Sequence, residues 1–114
     1  MKKWIAGIDI GGTTIKLAFL TDDGYIVHKW EIPTDKTDSG IHIVKDIATA
    51  LAAELNKYGE SSEKLLGIGI GAPGPVDDKD GSVIEAVNLG WRNYPLKDML
   101  EKETGLPVQV ENDA

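Results

Sequence analysis

The sequence predicts an α/β domain built on a mixed sheet, and three observations carry that reading. The first 32 residues hold three short apolar runs separated by tight-turn residues, the signature of an antiparallel meander. From Ile41 to Tyr58 the period of the apolar residues changes from two to three or four. After that, apolar runs alternate with helical or looped stretches, as expected of strands joined by crossovers.

The elements follow in order. Trp4 to Ile10 is apolar except for Asp9 and rich in β-branched residues, which predicts a strand covered on both faces. Gly11-Gly12 predicts a hairpin, with glycine supplying a tolerance for positive φ. In Thr14 to Leu20, Ile15, Leu17 and Phe19 alternate with Thr14, Lys16 and Ala18, giving a second strand. Asp22-Asp23-Gly24 turns the chain into a third strand, Tyr25 to Ile32. Pro33 to Gly40 is polar and reads as a loop. Val44, Ile47, Ala48, Leu51, Leu55 and Tyr58 then mark one face of a helix that Gly59 terminates. Leu65 to Ala72 is a strand, Pro73 to Asp80 a loop, and Gly81 to Val87 a short hairpin. Pro95 to Thr104 is a short helix with Leu96, Met99 and Leu100 on one face, closed by Gly105. Val108 to Glu111 is the last strand, and no linker or repeat divides residues 1–114, so one domain is expected.

Composition narrows the function classes. With 41% hydrophobic and 27% charged residues in a chain of 114, the mixture is that of a soluble globular domain with a modest core. Lys and Arg number 12 against 19 Asp and Glu, and the net charge of -7 argues against nucleic acid and anionic membrane as partners. A small anion held by backbone amides stays open. There is no cysteine, so disulfides and thiolate metal sites are excluded within the chain, and the cytoplasm is the compartment expected. The opening Lys2-Lys3 and apolar run superficially resemble a leader, but Asp9 interrupts it too early.

Four segments are candidates for chemistry. In Asp9-Ile10-Gly11-Gly12-Thr13-Thr14-Ile15-Lys16, the glycines read either as a plain hairpin or as a place where N–H groups approach phosphate oxygens, with Thr hydroxyls as further donors. Lys16, turned toward that hairpin, would add positive charge. A carboxylate in an apolar strand is costly unless paired or used, so Asp9 is a candidate to position a hydrated Mg²⁺. Gly69-Ile70-Gly71-Ala72-Pro73-Gly74 matches G-x-G-x-x-G, yet Pro73 and Pro75 forbid the helix that a dinucleotide fingerprint requires. It reads as a stiff loop at a strand's carboxyl end, either structural or ligand-facing. No G-x-x-x-x-G-K-[ST] occurs. In Asn112-Asp113, Asp113 is either a general base or part of an ordinary cap, with Asn112 an orienting donor. Asn88 in Asn88-Leu89-Gly90-Trp91 suits a hydroxyl ligand, while Trp91 reads as core or as a stacking platform, the core being preferred. His28 and His42 have no ligand-spaced partner in the sequence, and no protein-bound metal is expected.

Taken together and in this order, the four segments resemble the amino-terminal domain of the ROK family (repressors, open reading frames, sugar kinases), and within it the glucokinases. Those segments are Asp9-x-Gly11-Gly12-Thr13-x-Ile15-Lys16, Gly71-Ala72-Pro73-Gly74-Pro75-Val76-Asp77, Asn88-Leu89-Gly90-Trp91 and Glu111-Asn112-Asp113-Ala114. The resemblance implies a ribonuclease H-like (actin-like ATPase) domain. It implies Asp113 as the base on the sugar hydroxyl, Asn112, Gly74, Pro75 and Asn88 around the hexose, and Gly11, Gly12, Thr13, Thr14 and Lys16 facing ATP. Asp9 would stand near the Mg²⁺ that accompanies ATP. It implies glucose as the preferred hexose and a homo-oligomer in full-length form. Family kinases have a second domain with a Cys-rich zinc motif, and neither is present here. The expectation is therefore an amino-terminal domain of a two-domain kinase, inactive by itself. The alternative is a non-catalytic sugar-binding or assembly module. Family repressors carry a helix-turn-helix ahead of the first strand, and this acidic chain starts at that strand, so the kinase branch is favoured.

Overall fold

The computed structural model describes residues 3–112. Strands β1 (Trp4–Ile10), β2 (Thr14–Thr21) and β3 (Ile26–Pro33) form the antiparallel meander. A single helical turn, α1 (Thr37–Gly40), and the helix α2 (Ile43–Lys57) lead to β4 (Leu65–Ala72), which lies parallel to β1. A parallel return requires a crossover, and α2 supplies it. Strands β5 (Val76–Asp77), β6 (Ser82–Ala86) and β7 (Trp91–Tyr94) make a separate small antiparallel sheet. Helix α3 (Leu96–Thr104) then crosses to β8 (Val108–Asn112), parallel to β4. The main sheet has the order β3-β2-β1-β4-β8.

One face of that sheet is the core. Ala6, Ile8 and Ile10 of β1, Ile15, Leu17 and Phe19 of β2, Ile68 and Ile70 of β4, and Val108 and Val110 of β8 are all buried. The register aligns them in rows: Ile8 stands beside Leu17 and Ile70, and Ile70 beside Val110. Helix α2 lays Ile43, Val44, Ile47, Leu51 and Leu55 against them, and α3 adds Leu96 and Leu100. Each fully buried aliphatic or aromatic side chain contributes about 1.5–3 kcal/mol. Phe19 is the centre of an aromatic cluster, 5.4 Å from Trp4 and 4.9 Å from Trp30, with Tyr58 edge-on at 6.4 Å.

The opposite face departs from expectation. Ile5, Gly7 and Asp9 of β1 are part-exposed, so β1 is not covered on both faces among the described residues. Its neighbours there are Lys16 and Ala18 of β2, Gly67, Gly69 and Gly71 of β4, and Gln109 and Glu111 of β8. Two open depressions run over this face, one bordered by Gly7, Asp9, Lys16, Lys29 and Glu31, the other by Ile5, Gly69, Gly71, Gln109 and Glu111.

Other boundaries moved for identifiable reasons. The loop after β3 contains α1, in which Asp38 and Ser39 adopt left-handed φ of 51° and 59°. Residues 76–77 and 91–94 are strands, because β6 pairs with both; the expected hairpin over 81–87 is the middle strand of that sheet. Met99 is 40% exposed, so the buried face of α3 is carried by Leu96 and Leu100.

Candidate functional site

The carboxyl ends of the parallel strands β1, β4 and β8 meet at one rim, where ligands sit in open α/β sheets. In register, Asp9 faces Gly71 and Gly71 faces Glu111, with Ala72 beside Asn112 one step further on. The described residues of the segments Asp9–Lys16, Gly71–Asp77 and Glu111–Asn112 lie on these strand ends or directly after them, and Asn88 comes up to the first of them at Gly12.

The Gly11-Gly12 turn joins β1 to β2. The Gly11 N–H donates to the Thr14 carbonyl at 3.0 Å. Neither glycine has a positive φ, so the reason expected for glycine there is replaced by another. A Cβ on Gly11 would lie 2.7 Å from the Thr14 carbonyl oxygen, and only glycine lets the chain close that tightly. A residue that sequence reasoning missed, Thr34, straps the turn from outside. Its N–H donates to the Thr13 carbonyl and its hydroxyl to the Gly11 carbonyl, each at 2.9 Å, and the residue is 9% exposed. Only a Thr just after the Pro33 that ends a strand could have signalled it.

Asp9 and Lys16 are register partners on the open face and border the same depression, so Lys16 flanks Asp9 rather than reaching over the turn. The Asp9 Oδ1 is buried without a hydrogen-bond partner among the described residues. A carboxylate oxygen left in that state has an acceptor to offer, which suits the water shell of a hard cation.

The Pro73–Val76 loop leaves the end of β4. A Cβ on Gly74 would collide with the Glu85 carbonyl oxygen, so this glycine permits a backbone-to-backbone approach between the loop and β6. The Pro75 carbonyl accepts from the Ile84 N–H at 2.8 Å. From the end of β8, the Asn112 side-chain amide donates to the Gly74 carbonyl, tying two predicted sugar-site segments together. Asp113 lies outside the described residues.

Asn88 sits in a 3-10 turn, Val87–Leu89. Its Nδ2 is 4.0 Å from where a Gly12 Cβ would stand, so the predicted sugar segment and the predicted phosphate turn are neighbours. Trp91 belongs to the core: it is 2% exposed, its indole N–H donates to the Gly40 carbonyl at 3.3 Å, and Tyr94 stacks on it at 4.1 Å. A stacking role toward a sugar is thereby closed. Gly90, at φ 77°, lets the segment lie against Ser39, where any side chain would meet the Ser39 Cα.

Charged partners elsewhere are local. His28 pairs with Glu54 at 3.1 Å, a partner distant in sequence, and His42 with Asp38 at 3.5 Å, so the expectation that His42 has no suitably spaced carboxylate is corrected: Asp38 stands four residues before it. Burial raises the pKa of the Tyr94 hydroxyl. Among the described residues no cluster of three or more His, Cys, Asp or Glu can hold a metal, and no helix is long and apolar enough to cross a membrane.

The ROK family model matches residues 5–114. The chain belongs to the ROK family. Among its relatives, a glucokinase of Halalkalibacterium halodurans is 55% identical over 112 residues, covering 98% of this chain and 34% of that protein. A ROK glucokinase from Streptomyces griseus, whose crystal structure is in complex with glucose and AMPPNP, superposes with a TM-score of 0.80 at 41% identity, over 97% of this chain and 33% of the other. A putative xylose repressor of Caldicellulosiruptor is 34% identical, over 96% of this chain and 28% of that protein, so ROK repressors are relatives as well as ROK kinases. The chain spans about a third of the length of these relatives. The fold is that of the actin-like ATPases, as these ROK neighbours and the mixed sheet agree.

Proposed function

We propose that this chain is the amino-terminal part of an ATP-dependent hexose kinase that phosphorylates the 6-hydroxyl of glucose. The observation that carries the reading is the adjacency of Asn88 to Gly12: a hydroxyl-binding amide stands beside a glycine turn suited to phosphate, as in-line transfer between sugar and nucleotide needs. Asn112, fixed to the Gly74 carbonyl at the same rim, orients a sugar hydroxyl, and Pro75 stiffens the loop that borders it. Asp113, the next residue in sequence, takes the hydroxyl proton as general base. The Gly11 N–H closes the turn on the Thr14 carbonyl, and the N–H groups of Gly12, Thr13 and Thr14 face the phosphates, with the charge of Lys16 beside Asp9. A Mg²⁺ arriving with ATP would neutralise developing phosphate charge when bound, and the unpartnered oxygen of Asp9 is the acceptor for its hydration shell.

In this reading the isolated chain is inactive, because the rest of the cleft that excludes water lies in the remaining length of the kinase. The full-length enzyme works in the cytoplasm as a homo-oligomer, without nucleic acid or membrane partners.

The test is a coupled ADP-release assay on the kinase carrying this chain, with glucose varied. Asp113→Ala is expected to lower kcat by about a hundredfold or more. Unchanged glucose-dependent turnover in the variant would sink the assignment of the base. The repressor relative favours a second reading, a sugar-sensing module without catalysis. Glucose binding by calorimetry, without any glucose-dependent ADP release in the wild type, would select it.

A further inference from the structure

From the geometry of the glycine turn we infer that Thr34 is a positioning residue for the phosphate-binding amides, an inference that rests on the kinase reading above. Thr34 follows directly on the edge strand β3 and lies on the far side of β2 from β1, so nothing in local sequence ties it to Gly11. It nevertheless binds the turn twice, holding the Gly11 carbonyl with its hydroxyl and the Thr13 carbonyl with its N–H, each at 2.9 Å.

The consequence follows from peptide geometry. The described peptide bonds contain no cis isomer, and in a planar trans peptide the C=O and the next residue's N–H point in opposite directions. Fixing the Gly11 carbonyl toward Thr34 therefore aims the Gly12 N–H away from it. Fixing the Thr13 carbonyl does the same for the Thr14 N–H. The Gly12 N–H has no acceptor among the described residues, so it stands free for an external anion. A turn held at two carbonyls presents these donors preorganised, and a ligand then need not meet the cost of ordering them. A turn of glycines would otherwise be the most mobile backbone at the rim.

The ligand chemistry is the triphosphate end of a nucleotide, and the test separates positioning from mere stability. Thr34→Val removes the hydroxyl at nearly constant volume and keeps the N–H bond; Thr34→Ser keeps both. In the kinase carrying this chain, Thr34→Val should raise KM for ATP about tenfold and leave KM for the sugar within about twofold, while Thr34→Ser restores the ATP value. Thr34→Ala replaces the valine variant should that one not fold. An ATP KM within about twofold of wild type in Thr34→Val, or an equal rise in both KM values that serine does not rescue, overturns the inference. A wild type without sugar-dependent ADP release defeats the kinase reading alone. The positioning role is then read by titrating inorganic pyrophosphate into ¹⁵N-labelled chain. The Gly12 and Thr14 amide resonances should shift in wild type and Thr34→Ser and stay fixed in Thr34→Val. The same shifts in all three proteins, or shifts in none, overturn it.

Discussion

The two faces of the main sheet are built from alternate residues of the same strands and have opposite characters. On the helix-covered face stand Ile8, Ile10, Leu17, Phe19, Ile68 and Ile70, large side chains at 5% exposure or less. On the other stand Gly7, Asp9, Lys16, Ala18, Gly67, Gly69 and Gly71, small or charged groups open to solvent in part. The period of two in a strand permits this division of labour. Cohesion comes from one face, and the other carries the carboxylate of Asp9 and a flat ladder of glycines, part-exposed among the described residues. The comparison also shows that glycine serves different ends in one molecule. Gly69 faces open space, whereas Gly11 and Gly74 sit where a neighbouring carbonyl leaves no room.

The contrast between the faces can be broken most severely at Phe19. Phe19→Ala removes the ring between Trp4 and Trp30 and should cost about 3–5 kcal/mol of stability in urea denaturation. Ala18→Ser, one residue away on the open face, should change stability by no more than about 0.5 kcal/mol. A comparable loss from both would mean that the faces are not energetically distinct.

A smaller effect separates the glycines. Gly74→Ala forces the loop away from the Glu85 carbonyl and should cost about 1–3 kcal/mol, with weaker sugar binding by calorimetry. Gly69→Ala has nothing within 4 Å of its new methyl and should be neutral or raise stability by about 0.4–1 kcal/mol through the unfolded chain. Equal destabilisation by the two would show that the open face is packed in solution.

The smallest effect lies at the exposed Asp35, after the Thr34 strap. Its carboxylate accepts from the Thr37 hydroxyl at 2.5 Å and from the Thr37 N–H at 3.0 Å, and these bonds lower its pKa. A depressed folded-state pKa contributes stability above the unfolded value, and that contribution is lost as pH falls through the folded value in the acid range. Thr37→Val should move the Asp35 titration upward toward an ordinary carboxylate, followed by carboxyl carbon NMR. An unmoved titration would mean that the hydroxyl bond does not form in solution.

How much of this was legible in the sequence depended on range. The strands Trp4–Ile10 and Leu65–Ala72 have the expected bounds because short apolar runs end at Gly or Pro, which are local signals. Strand β7 was missed because its four residues, Trp91–Tyr94, become a strand only through pairing with β6. The open face of β1 escaped for a related reason: an apolar run says what can be buried, not what is present to bury it. Site segments were visible as glycine and Asn motifs, but Thr34 was not. Its part is played through two bonds to residues more than twenty positions earlier, which no spacing rule encodes.

The strand order β3-β2-β1-β4-β8 has a kinetic consequence. The meander closes through hairpins between chain neighbours, but β1 acquires its second neighbour only after Leu65–Ala72 has been synthesised and α2 has crossed over. During vectorial synthesis the central strand therefore waits as a sheet edge, with its free N–H and C=O groups exposed to other chains. Refolding should accordingly separate into a fast local phase and a slower one limited by closing the β1–β4 loop.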